Sequence, residues 1–188
     1  MKLQNKDFIF AIIAVILGVL TRTIFDLGQN IEMVTAFAIV SGYFFNNKKL
    51  AFAVPLITMI VSDIFIKNTN IFLFTWSGFL FGPIAGSLLR RLVNKFKGNF
   101  ALGLVGSQGL GVVSTLVFFL WTNFGVWLIG NMYVKDLSGL TLSYINAIPF
   151  LVNQLVGNLV IVPIVFVLGT VYYNYEKIIN PIINKSIE

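Results

Sequence analysis

The sequence has no cysteine and no histidine. Those two absences together remove disulfides, thiolate nucleophiles, imidazole bases and the ordinary soft or borderline metal ligands. An intramembrane serine protease of the Ser/His type is excluded on the same ground. Charge is scarce as well: 11% of the 188 residues are charged, against 57% that are hydrophobic. Almost every long segment therefore lacks the polar residues that a water-facing surface needs. No low-complexity tract, long linker or internal repeat divides the chain, which reads as one domain over residues 1–188.

What is present is apolar length. Runs at about 8–25, 33–45, 49–66, 71–92, 100–121 and 147–173 approach or exceed the roughly 18 to 20 helical residues that cross a bilayer's hydrocarbon. The run at 33–45 is short for a crossing, and tilt, extension into the neighbouring loop or shelter by other helices would each accommodate it. The reading is an all-α polytopic bundle of six transmembrane helices. The segment 122–144, TNFGVWLIGNMYVKDLSGLTLSY, joins the last two spans as an interfacial helix or lid, or as an aromatic belt at headgroup depth.

A formal charge of +6 in a soluble chain would suggest a nucleic-acid partner, but here its distribution is a topology signal. With the N-terminus in the cytoplasm, Lys2, Lys6, Lys48, Lys49, Arg90, Arg91, Lys95, Lys97, Lys177 and Lys185 fall inside, while Arg22, Lys67 and Lys135 fall outside. That bias places both termini on the cytoplasmic side of an inner membrane. The opening MKLQNKDFIFAIIAVILGVL has the basic-then-apolar order of a secretory signal. No small-x-small cleavage pattern follows it, so the first helix is read as retained.

Small residues recur at helical spacing. Gly78, Gly82 and Gly86 mark one face of the fourth run and Gly103, Ser107 and Gly111 one face of the fifth, which predicts close helix packing. Ala11, Ala14 and Gly18 form a similar strip on the first helix, suited to docking on a partner. Pro55, Pro83 and Pro163 lie inside runs, where each would weaken its helix and leave carbonyl groups available inside the bundle.

Catalysis finds little support. Asp26 and Glu32 share a loop and are a weak acid/base pair, and GSQGLG at 106–111 has the wrong spacing for a dinucleotide turn or a nucleophile elbow. The expectation is a chain that is not an enzyme and that uses no cofactor or metal. The polar groups instead gather on one side. In the deduced topology Arg22, Glu32, Asp63, Trp76, Trp121, Asn123, Trp127, Asn131, Asn153 and Asn158 occupy the outer halves of the spans and their loops, with Asp26, Thr35 and Gln154 nearby. Each amide alone reads as interhelical hydrogen bonding, but the set together suggests an outward pocket. Gln154 points about 100° around its helix from Asn153, so one of the two faces another helix. The aspartate in PLITMIVSDIF, Asp63, lies about 5 Å from the outer end of its helix and is expected to pair with Arg22 or Lys67 or to cap.

Three pieces, TAFAIVSGYFFNNKKLAFAVPLITMIVSDIF at 35–65, TNFGVWLIGNMY at 122–133 and YINAIPFLVNQLVGNL at 144–159, resemble a family of small bacterial integral-membrane proteins without an established function. That family is similar in turn to the substrate-binding S components of energy-coupling factor (ECF) vitamin transporters. The resemblance implies six helices and a pocket near the outer face. It also implies docking on a transmembrane coupling subunit that works with two ATPases. The polar set above becomes the substrate pocket, and Ala11, Ala14 and Gly18 become the docking strip. The family's coupling face carries two alanines four apart; here Ala14 and Gly18 keep a small pair at that interval. Without cysteine or histidine a cobalt or nickel cargo has no ordinary ligand, which favours an organic nutrient. A structural scaffold in the membrane lipid, or a solitary facilitator, is the competing expectation.

Overall fold

The structure is a computed structural model that describes residues 3–25, 28–67 and 71–185, with side chains over 5–25, 28–67 and 71–175. Asp26, Lys2 and the side chains of Lys177 and Lys185, read above for chemistry or topology, lie outside the described residues. Among the described residues seven helices follow one another: α1 (Leu3–Thr23), α2 (Val34–Phe44), α3 (Lys48–Ile66), α4 (Phe72–Phe79), α5 (Phe81–Lys95), α6 (Phe100–Ile129) and α7 (Leu137–Lys185). No strand occurs among the described residues. Four stretches, Lys48–Ile66, Phe72–Lys95, Phe100–Ile129 and Leu137–Tyr175, are long and apolar enough to cross a membrane. Their outer faces carry exposed isoleucine, leucine and valine in quantity, as at Ile57, Ile60 and Ile64 on α3 and Val152, Val156 and Val160 on α7. Lipid is a suitable solvent for such faces; water is not.

The short second run is the middle of the molecule. α2 has 11 residues, about 16 Å of helix, and is too short to cross hydrocarbon alone. Every residue from Val34 to Gly42 is buried, and α1, α3, α5, α6 and α7 all pack around it. A helix that is apolar on all sides belongs in a core. Of the readings open for this run, shelter by neighbours is therefore the one realised.

Glycine sets how near those neighbours come. A Cβ added at Gly86 of α5 would overlap the Ile39 carbonyl oxygen of α2, and one at Gly42 of α2 would overlap the Pro83 carbonyl. The two backbones are in direct contact, a geometry open only to glycine. A Cβ added at Gly82 would fall 2.6 Å from the Ala38 Cβ, while one at Gly78 would meet the Phe118 ring of α6. Gly103 and Gly111 of α6 receive Phe166 and Val162 of α7, and Ser107 between them is fully buried. Both expected packing faces thus work within the chain.

The strip on α1 does the same, which corrects its assignment as a docking surface. Ala11 and Ala14 are buried in the core cluster with Ala36, Phe37 and Val54. A Cβ added at Gly18 would fall 2.8 Å from the Thr58 side chain of α3. α1 shows the outside Phe8, Ile12 and Ile16 instead. Small residues let helices approach, and here the helices that approach belong to the same chain.

Prolines divide the helices in two ways. The fourth apolar run, expected to be continuous, breaks at Leu80 into α4 and α5. Pro83 is the third residue of α5 and has no N–H for the Phe79 carbonyl, and Leu80 N–H turns back to the Ser77 carbonyl at 3.1 Å. Pro55 and Pro163, in contrast, stay inside α3 and α7. Each frees the carbonyl four residues earlier, and each freed carbonyl is taken by a neighbouring helix. Ser41 Oγ donates to the Ala51 carbonyl at 3.1 Å, and Gln108 Nε2 to the Leu159 carbonyl at 3.4 Å.

The expected outer segment 122–144 is shared between two helices. α6 runs on to Ile129, α7 begins at Leu137, and only Gly130 to Asp136 link them. Trp127 Nε1 donates to the Val134 carbonyl at 3.0 Å, and Lys135 Nζ donates to the Trp127 and Gly130 carbonyls. Asp136 caps α7, accepting from Gly139 N–H and Ser138 Oγ at 2.8 Å each. The Gly139 N–H, and then the Ser138 hydroxyl, hold its carboxyl below the ordinary carboxylate range.

One end of the bundle is closed by polar groups directed at the protein itself. Asp7, 1% exposed, accepts the Asn46 backbone N–H and the Tyr173 hydroxyl, both at 2.9 Å. Lys48 Nζ donates to the Gly42 and Phe45 carbonyls, and Arg90 Nη1 to the Phe44 and Phe45 carbonyls. These bonds satisfy the carbonyls at the C-terminus of α2, which a helix end leaves unpaired.

Candidate functional site

At the opposite end, the last turn of α1 places Arg22 against α3. Its Nε donates to Ser62 Oγ at 2.8 Å, its Nη2 to Asp63 Oδ1 at 2.9 Å and its Nη1 to Glu32 Oε2 at 2.6 Å. Trp76 of α4 donates its indole N–H to the other Asp63 oxygen at 2.7 Å. The side chains of Arg22, Glu32 and Asp63 are only 11%, 13% and 5% exposed. The planar fork of arginine suits such a cluster, since each nitrogen meets its own acceptor. The pairing expected for Asp63 is realised with Arg22, and Lys67 instead ends α3 in a left-handed conformation.

Arg22 and Glu32 form one wall of a cavity of about 410 Å³. α4 contributes Ile71 and Thr75, and α6 contributes Phe118, Phe119, Thr122, Asn123 and Val126. Met132 and Tyr133 come from the link, and α7 adds Ser143, Asn146, Ala147, Phe150, Leu151 and Gln154. Arg22 and Glu32, together with Asn30, also border a second cavity of about 440 Å³ between the end of α1 and the loop before α2. The first cavity has the size and the mixed aromatic and polar lining of a small-molecule site.

Several of its polar groups are already held. Asn123 Nδ2 donates to the Phe119 carbonyl at 2.8 Å, and Asn146 Nδ2 to the Tyr133 hydroxyl at 3.2 Å. Gln154 is different. It is 3% exposed and lines the cavity, yet its amide hydrogen-bonds to no described residue. The Gln154 side chain therefore meets the cavity, while the buried side-chain polar atom left without a partner among the described residues is Ser114 Oγ.

Of the residues expected at an outward pocket, Arg22, Glu32 and Asn123 line it. Asp63 and Trp76 stand behind Arg22 and orient it. Asn158 lies deeper and donates to Thr115 Oγ1 of α6 at 2.8 Å, a tie between helices. Trp121 is exposed and donates to Ser77 Oγ at 2.8 Å, while Trp127 is committed to the link. Asn131 is exposed in that link, and Asn153 is absent from the cavity wall. Of the Asn153 and Gln154 pair, Gln154 is therefore the one that faces the site.

The residues not singled out share a readable pattern. Ser143, Asn146, Ala147, Phe150, Leu151 and Gln154 recur at three and four residue intervals along one face of α7. Phe118, Phe119, Thr122, Asn123 and Val126 do so on α6. Depth in the bilayer was the wrong coordinate for finding them; azimuth around the helix was the right one. Among the described residues no three acidic side chains converge as a metal site.

A helical bundle with apolar outer faces and a polar, aromatic-lined cavity defines a class of membrane-type helical proteins. The chain belongs to a family of unknown function (DUF6580), whose model matches residues 2–178. No curated protein and no solved structure matches it.

Proposed function

We propose that the chain is a substrate-binding membrane subunit of S-component type, which takes a small, vitamin-like organic nutrient into the cavity beside Arg22. In this reading α4 and α5 count as one span, α2 as a short central one, and six spans alternate across an inner membrane. The end that holds Lys48 and Arg90 is cytoplasmic by the positive-inside rule, and the Arg22 end faces out. The observation that carries the reading is the cavity itself, bordered by aromatic rings and by the unpartnered Gln154 amide. The chain is not an enzyme in this account, and ATP hydrolysis belongs to separate subunits. Their coupling subunit would have to use a surface other than Ala11, Ala14 and Gly18, which α2 and α3 already cover.

A scaffold reading draws on a different observation: Asn158, Trp121 and Trp127 all spend their polar groups on other parts of the chain. Thermal unfolding of purified protein against a vitamin panel separates the two. A ligand of the cavity raises the melting temperature of the wild type and not of Ala147→Phe, which fills the space. No shift with any compound, together with a stable copurifying protein, favours the scaffold. Uptake into proteoliposomes without ATP identifies a solitary facilitator.

A further inference from the structure

The charges at the cavity wall do not balance. One guanidinium, Arg22, meets two carboxylates, Asp63 and Glu32. Among the described residues, the charged ones that line the cavity are Arg22 and Glu32. Asp63 accepts from both Arg22 and the Trp76 indole, with a donor on each oxygen, so neither oxygen is open. Glu32 receives its donor on Oε2 alone and borders both cavities. Arg22 retains one N–H on each of Nη1 and Nη2, but its charge is already met by two carboxylates, which makes it a weak site for an anion. The excess negative charge is therefore on the cavity side, at Glu32.

From this imbalance we infer that the cavity selects a small organic cation, with Glu32 as its counter-ion and Gln154 as a hydrogen-bonding partner. This rests on the cavity being a ligand site, and it adds the charge class of the ligand. Half-buried carboxylates interact strongly with a cation that replaces water. Phe119 and Phe150 line the same wall, and aromatic rings attract cations to their faces. Gln154, 3% exposed, supplies a carbonyl acceptor and an amide donor to the ligand's polar groups. Arg22 acts as a positioning residue here: held by Asp63 and Ser62, it fixes one Glu32 oxygen and leaves the other for the ligand.

Three planar probes of matched shape test the charge preference: benzamidinium, benzamide and benzoate, titrated against the full chain in detergent or nanodiscs. Benzamidinium is expected to bind at least about tenfold more tightly than benzamide, a difference of one modest charge interaction, and benzoate least. Glu32→Gln, which keeps Arg22 paired with Asp63, is expected to erase the gap between benzamidinium and benzamide while its melting temperature without probe stays near that of the wild type. Gln154→Leu should weaken both probes and preserve their ratio. Equal or tighter binding of benzamide or benzoate by the wild type overturns the cation preference and leaves the ligand site standing. Binding that Ala147→Phe does not reduce, or no binding by any of the three, overturns both. If Glu32→Gln does not fold, the three-probe ratio of the wild type decides alone.

Discussion

At the Asp7 end the cationic side chains point at backbone carbonyls; at the Arg22 end the cation points at carboxylates. Lys48 and Arg90 close the terminus of α2, and Asp7 holds the turn after it to α7. Each of these groups completes a helix end or a loop. At the other end Arg22, Asp63, Ser62 and Trp76 complete one another, and Glu32 and Gln154 keep capacity toward an empty volume. Similar side chains thus build a sealed terminus in one place and an unfinished one in the other. Under the proposed function, that unfinished polar wall is the part of the bundle that a ligand would complete.

Substitutions can break or sharpen that contrast. Asp63→Ala leaves the Trp76 indole unpaired and strips Arg22 of the carboxylate that holds it to α3. The expected loss is about 3–5 kcal/mol in chemical unfolding, the cost of breaking one side of a buried ion pair. Asp7→Ala removes two hydrogen bonds to a buried charge, and is expected to cost on the order of 2–3 kcal/mol. Once folded, its response to a cavity ligand should match the wild type; a weakened response would mean that the two ends are not independent. Asn158→Leu, which removes the tie to Thr115, should cost about 0.6 kcal/mol, the average for such a bond between membrane helices. A cost several times larger would place Asn158 among the site's own supports.

The smallest effect concerns Asp136, which is exposed in the link between α6 and α7. Its folded-state carboxyl is held below the unfolded value, so its contribution is present above the ordinary carboxylate pKa of about 4 and is lost as pH falls through the depressed value. Melting temperatures measured from neutral to acidic pH should show this loss in the wild type. In Asp136→Asn that component should be missing, since the amide does not titrate in the range.

The two ends were unequally legible from sequence. The Arg22–Asp63 pair could be read because a topology that alternates helices puts both residues on one side, and hydrocarbon leaves a charged group few other partners. Asp7 could not. It sits one turn from a polar terminus, where a carboxylate ordinarily faces water, and the turn after α2 together with the return of α7 past the start of α1 encloses it. The α7 stripe from Ser143 to Gln154 was present in the spacing, but alanine, leucine and phenylalanine within it look like ordinary core. Ala11, Ala14 and Gly18 show a different limit: spacing reveals that something packs closely, and says nothing of whether that something is in the same chain. The break at Leu80 was implied by Pro83, though a proline in an apolar run equally permits the continuous helices that carry Pro55 and Pro163.

Those two internal prolines have a mechanical consequence. Apolar faces in lipid slide past one another with little penalty, since one methyl contact replaces another. Ser41 on the Ala51 carbonyl and Gln108 on the Leu159 carbonyl permit no such exchange, because each acceptor exists at a single height on its helix. They act as pegs that fix the axial offset of α2 against α3 and of α6 against α7. The cavity wall borrows that alignment: the Gln108 bond to Leu159, near the middle of α7, helps hold the Phe119 level of α6 beside the Gln154 level of α7.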